Sequence, residues 1–79
     1  MEVKVRLFGH LREYRPGDEQ EAAVKMEPES SLADLVAELG IPEEELRFSL
    51  MLVNGRQSGS DRILQQGDTV SFVTMTEGG

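Results

Sequence analysis

Ser30-Ser31-Leu32-Ala33-Asp34-Leu35-Val36-Ala37-Glu38-Leu39-Gly40 is the stretch on which the fold turns. Leu32, Leu35, Val36 and Leu39 recur at i, i+3, i+4 and i+7, the spacing that puts apolar side chains on one face of an α-helix. Ser30 and Ser31 offer N-cap oxygens, and Asp34 sits in the first turn, where a carboxylate is favoured. Gly40 is a C-terminal stop and Pro42 bars continuation. The spacing therefore predicts a helix over residues 31–39. Its single apolar stripe needs a second layer to cover it, and each large aliphatic side chain contributes on the order of 1.5–3 kcal/mol when fully buried.

On the N-terminal side, residues 2–8 alternate, with Val3, Val5 and Leu7 on one face and Glu2, Lys4 and Arg6 on the other, the period of a half-buried strand. Phe8 falls on the polar face at the strand's end, an exposed aromatic that serves either a contact or the packing of a loop. Gly9–Arg15 has room for a short helical turn before Pro16-Gly17-Asp18 forces a loop. Residues 20–27 alternate again through Ala22, Val24 and Met26, so the first two strands are predicted to pair as an antiparallel hairpin.

On the C-terminal side, Glu43, Glu44 and Glu45 read as a solvated turn. Phe48–Val53 reads as a third strand, and Asn54-Gly55 as a tight turn. Gln57–Asp61 reads as a polar loop. Ile63-Leu64 and the turn Gln65-Gln66-Gly67-Asp68 then deliver the chain into a last strand. The predicted core is Val3, Val5, Leu7, Val24, Leu32, Leu35, Val36, Val70 and Phe72.

Two hairpins flanking one helix suggest an α+β fold, a mixed four- or five-stranded sheet packed on that helix. First and last strands side by side in the centre satisfy the right-handed crossover preference. This is the ubiquitin-like β-grasp arrangement, with residues 1–76 as the domain and residues 77–79 as a flexible tail.

The 79 residues carry a net charge of −7 and no cysteine, so neither disulfides nor thiolate metal sites brace the chain. The eight Lys and Arg are scattered, which argues against nucleic-acid binding by charge neutralisation. The acidity serves solubility or partners with basic surfaces. No apolar run approaches the roughly 20 residues of a membrane span. Met1-Glu2-Val3-Lys4-Val5 lacks the basic start of a signal peptide, so a cytoplasmic protein without membrane contact is expected. His10 is the single histidine, a poor metal site with no nucleophile near it in sequence. No phosphate-cradling loop or paired-carboxylate spacing is present, so the chain is not expected to be an enzyme or to bind a metal.

Thr76-Glu77-Gly78-Gly79 follows the last strand. Without Cβ atoms, Gly78 and Gly79 let the backbone turn freely and enter a narrow slot. Taken alone, the pair fits a frayed end or an arbitrary boundary as well as a reactive tail.

Three segments together resemble the ubiquitin-like sulfur carriers, which include the small subunit of molybdopterin synthase and the thiamine-pathway carrier. They are Val3–Glu13, Leu52-Val53-Asn54, and Gly67-Asp68-Thr69-Val70-Ser71-Phe72 leading to Gly78-Gly79. The resemblance implies that a partner enzyme adenylates the Gly79 carboxylate with ATP and Mg²⁺, neither held by this chain. Sulfur then replaces AMP to give a thiocarboxylate, most simply for molybdopterin (molybdenum cofactor) formation. It also implies contact sites at Phe8 and Val73 with Arg12 beside them and Met75 near, and partners that are an activating enzyme and a synthase large subunit or other sulfur acceptor. Thr74 and Met75 stand where the synthase subunit commonly has prolines, and Glu77 adds a charge beside the glycines. A thiamine-pathway or other carrier, a ubiquitin-like modifier forming isopeptide bonds, and a plain interaction domain are the alternatives.

Overall fold

The computed structural model describes residues 1–17 and 19–74. The alternating segments pair as their periods require. β1 (Glu2–Leu7) is antiparallel to β2 (Glu21–Lys25), with Val3 opposite Val24 and Val5 opposite Ala22. The helix α1 (Leu32–Leu39) follows, then β3 (Ser49–Val53), the two-residue β4 (Arg56–Gln57) and β5 (Thr69–Thr74). The sheet order is β2-β1-β5-β3-β4, with β1 and β5 parallel and the other neighbours antiparallel. The expected four- or five-stranded mixed sheet on one helix is thus a five-stranded one, first and last strands central.

α1 starts where its caps dictate. The Ser31 hydroxyl accepts from the Asp34 amide at 3.2 Å, and the Asp34 carboxylate accepts from the Ser31 amide at 2.9 Å, a reciprocal cap that satisfies otherwise orphaned donors. Ser30 does not share the role: its hydroxyl donates to the Glu27 carbonyl at 2.7 Å and the residue is buried. Gly40 ends the helix at φ 75°, the left-handed region.

Seven of the nine expected core residues are buried: Val3, Val5, Leu7, Leu32, Leu35, Val70 and Phe72. Val24 and Val36 pack against that cluster but stay half-buried, Val24 because it lies on an edge strand. Leu11, Ile41, Val53 and Leu64 complete the core. Leu11 comes from a 3₁₀ helix over Gly9–Tyr14, where a short helical turn was expected.

Several boundaries differ from the sequence reading. β1 stops at Leu7 and β2 spans residues 21–25, so Met26 lies beyond the strand although its amide still bonds the Met1 carbonyl at 2.8 Å. Phe48 precedes β3 in a turn. The expected polar loop from Gln57 begins inside β4, because the tight turn at Asn54-Gly55 folds Arg56 and Gln57 back onto Val53 and Leu52. The run of glutamates is a 3₁₀ helix, Glu43–Leu46.

The start of β5 is locked to the β3–β4 turn. The Asn54 amide group donates to Asp68 Oδ1 at 3.0 Å, while Asn54 Oδ1 accepts from the Thr69 amide at 3.0 Å. Asp68 Oδ2 accepts from the Gln65 amide at 2.8 Å, and the Asp68 carbonyl accepts from the Lys4 amide at 2.8 Å. Asp68 is buried, and a buried carboxylate is tolerated only when its oxygens are bonded in this way. Asn54 and Asp68 therefore belong to one bracket that sets the register of the last strand.

Candidate functional site

Strand pairing decides which side chains share a face. Leu7 and Phe72 are partners and both buried, so the helix covers the odd residues of β1 and the even residues of β5. The opposite, outer face receives Arg6 from β1, Ser71 and Val73 from β5, and Leu50 and Leu52 from β3, whose register sets Leu50 opposite Val73. Phe8 continues β1 by one step, since its amide donates to the Phe72 carbonyl at 3.2 Å, and this step aligns it with Val73. Phe8, Val73 and Leu50 thus form a half-buried apolar row across three strands, at the end of the sheet where β5 finishes.

Cationic groups border the row. The Arg6 guanidinium lies 5.5 Å from the centroid of the Phe8 ring, within cation–π range. Arg12, exposed on the 3₁₀ helix, turns its Nε back to the Gly9 carbonyl at 3.1 Å. Arg15 donates through Nε and Nη2 to the Leu7 carbonyl at 3.1 and 2.8 Å. That bond closes the end of β1, because pairing with β2 runs out at Arg6 opposite Glu21. Phe48, at the start of β3, is 59% exposed.

Gly9 sits tight against Thr74, the last described residue of β5. It has φ +63°, and a Cβ placed on it would stand 2.6 Å from Thr74 Oγ1 and 2.7 Å from Thr74 Cγ2. Only a residue without a side chain lets the 3₁₀ helix sit against Thr74, the last described residue before the tail. Gly9→Ala is therefore expected to cost about 1–3 kcal/mol through backbone strain, and to displace Thr74. Thermal unfolding checks the first effect and amide shifts of residues 72–74 the second.

His10 pairs with Glu45: its Nε2 lies 3.1 Å from Oε1 and 3.3 Å from the carbonyl oxygen, which also accepts from the Ser49 hydroxyl at 3.3 Å. The residue ties the two 3₁₀ helices together. Desolvation, then the carboxylates of Glu13, Glu45 and Glu44, push the nearby Tyr14 phenol above its ordinary value, so it stays neutral near pH 7. Among the described residues, no group of three or more His, Asp or Glu is arranged to hold a metal ion, and no helix is long and apolar enough to cross a membrane.

Of the residues singled out in the sequence, the structure brings Phe8 and Val73 together and places Arg12 on the adjoining 3₁₀ helix. Met75, Gly78 and Gly79 lie outside the described residues, as does the tail over residues 77–79. Leu50, Leu52 and Phe48 were missed as surface residues. The run Phe48–Val53 is apolar on both faces, so only the register with β5 separates its covered side from its open one.

A five-stranded mixed β-grasp sheet on one helix, with an open apolar row beside its last strand, defines a ubiquitin-like protein. The chain belongs to the Mut7-C ubiquitin family, which residues 1–77 match. No curated protein sequence matches it significantly. Among solved structures, SAMP1 from Haloferax volcanii is 18% identical with a TM-score of 0.77, all of both chains being covered. Urm1 from Trypanosoma brucei is 22% identical with a TM-score of 0.70, over 99% of this chain and 95% of that one. A chain from the complex of subunits 1 and 2 of molybdopterin-converting factor from Helicobacter pylori is 28% identical with a TM-score of 0.67, again over all of both chains. The ubiquitin-like likeness read from the sequence is thereby borne out in family and fold.

Proposed function

We infer that the chain is a sulfur-carrier protein, a co-substrate rather than an enzyme, whose Gly79 carboxylate is activated and converted to a thiocarboxylate. The observation that carries this reading is the apolar row Phe8–Val73–Leu50 at the end of β5, from which the chain runs on to Gly78-Gly79. The likeness to a chain of the Helicobacter pylori molybdopterin-converting-factor complex favours molybdopterin formation as the destination of the sulfur, with a synthase subunit as acceptor.

The chemistry follows from the carboxylate. With a pKa near 3.3–3.7 an α-carboxyl group is ionised at neutral pH and resists nucleophiles. Attack of its oxygen on the α-phosphorus of ATP expels pyrophosphate and leaves an acyl adenylate. A sulfur nucleophile then adds to the acyl carbon and AMP departs. ATP and Mg²⁺ belong to the activating enzyme. This chain contributes a docking face and a reach beyond Thr74 of at most about 18 Å for five residues.

Intact mass after incubation with an adenylating partner, ATP, Mg²⁺ and a sulfur donor tests the reading. A gain of one oxygen-to-sulfur exchange supports the carrier, adducts on lysines point instead to a protein modifier, and an unchanged mass to an interaction domain. Val73→Asp sets a charge in the middle of the row without touching the core, and is expected to weaken binding to the activating enzyme by roughly tenfold or more, as for a central contact residue. Its melting temperature should stay near that of the parent. Unchanged binding by titration calorimetry would remove the outer face from the interface.

A further inference from the structure

The two edges of the sheet are built differently. β4 has two residues and is blunted by its own brevity. β2 has five, free of proline, paired with β1 without interruption from Lys25 opposite Glu2 to Glu21 opposite Arg6. Met1 and Met26 exchange hydrogen bonds at one end of this ladder, at 2.8 and 2.7 Å. The Lys4 amide turns the other way, to the Asp68 carbonyl at 2.8 Å. Because bonding alternates along an antiparallel pair, Ala22 and Val24 face β1, whereas Glu21, Ala23 and Lys25 direct their amides and carbonyls away from it. Among the described residues, the backbone groups of Ala23 and Lys25 have no hydrogen-bond partner.

Beside this edge, between the end of β2 and α1, lies an open cleft of about 640 Å³. Its lining includes Met26 and four carboxylates, Glu27, Glu29, Asp34 and Glu38, against the single ammonium of Lys25. A second copy of this chain is a poor occupant. Antiparallel pairing about Ala23 sets Glu21 opposite Lys25, but it also sets Glu19 opposite Glu27 at both ends and joins two bodies of charge −7. Like charges opposite one another on paired strands are destabilising. The same acidity attracts a basic strand.

We propose that the free edge of β2 and the acidic cleft beside it form a docking groove for a basic, extended segment of a partner protein. The segment adds as a sixth strand, its backbone bonding Ala23 and Lys25 while its Lys or Arg side chains meet Glu27, Glu29 and Glu38. The pairing of β2 with β1 ends at Glu21 opposite Arg6, short of Phe8 where the row begins, and the cleft lies at the other end of β2, beside Met26 and Glu27, so the groove can be filled while the row is engaged.

The test uses the full chain, isotope-labelled, titrated with a synthetic peptide of alternating Lys and Val. Amide shifts are expected at residues 21–29 and 34–38. Ala23→Pro removes one outward amide, leaves the β1 ladder intact and keeps the net charge, and is expected to weaken binding roughly tenfold. Glu27→Lys with Glu38→Lys, both exposed positions, should weaken it at least as much and guards against misfolding of the proline variant. Equal binding by parent and Ala23→Pro, with matching thermal unfolding, would reduce the association to unspecific charge attraction and overturn the proposal. Shifts confined to Phe8, Leu50 and Val73, or dimerisation without peptide, would overturn it as well.

Discussion

Removal of Gly79 is expected to abolish adenylation of the chain and to leave its melting temperature unchanged. Adenylation requires the carboxylate oxygen to meet the α-phosphorus of ATP inside the partner's active site, and a chain one residue short falls about 3.5 Å back from that point. A misplacement of even ~1 Å costs about a hundredfold in rate, so the loss should be complete in practice. Gly78→Phe tests the same end sterically: the carboxylate is present, but a large side chain must enter a slot that two glycines would thread. Among the described residues every fully buried side chain lies at or before Phe72, and a glycine has no side chain to bury, so stability is expected to hold. ATP–pyrophosphate exchange and thermal unfolding, measured on parent and variants together, separate the outcomes. Equal exchange in the truncated chain would end the carrier reading, and a fall in melting temperature would assign the glycines to the fold.

The second large effect belongs to the scaffold. Leu35 is 0% exposed and, with Leu32, is one of the two buried residues of α1. Leu35→Ala is expected to cost about 2–5 kcal/mol, transfer free energy plus the cavity left between helix and sheet. At roughly 0.05–0.15 kcal/mol per residue, a chain of 79 residues has about 4–12 kcal/mol in total, so the loss is a large fraction of it. Denaturant unfolding should show a sharply lowered midpoint with little change in slope. Val36→Ala, at a half-buried neighbour, should cost clearly less. Similar losses at both positions would mean that the helix does not seat on Leu35.

The contrast between Leu35 and Leu50 shows how far the sequence could be read. Leu35 announces itself locally, through helical spacing, a serine cap and a glycine stop, all of which the structure contains. Leu50 sits in a run apolar on both faces, and its openness follows from pairing with Val73, 23 positions further along the chain. β4 was missed for a related reason, since Arg56 and Gln57 have polar side chains and become a strand only because the Asn54-Gly55 turn lays them against β3. Leu11 and Leu64 lie in short segments without periodicity and are buried by tertiary packing alone. Phe8 was legible because β1 alternates strictly, so an aromatic on its polar face stood out.

The position of β5 has a mechanical meaning. The strand runs between β1 and β3, bonded to both, with its first residues bracketed by Asn54 and Asp68. A load applied at Thr74 is therefore shared by two ladders that must slide together along the strand, rather than peel apart one bond at a time as an edge strand does. A pull on this end therefore works against a central strand held on both flanks, so the handle can be loaded while the body stays folded.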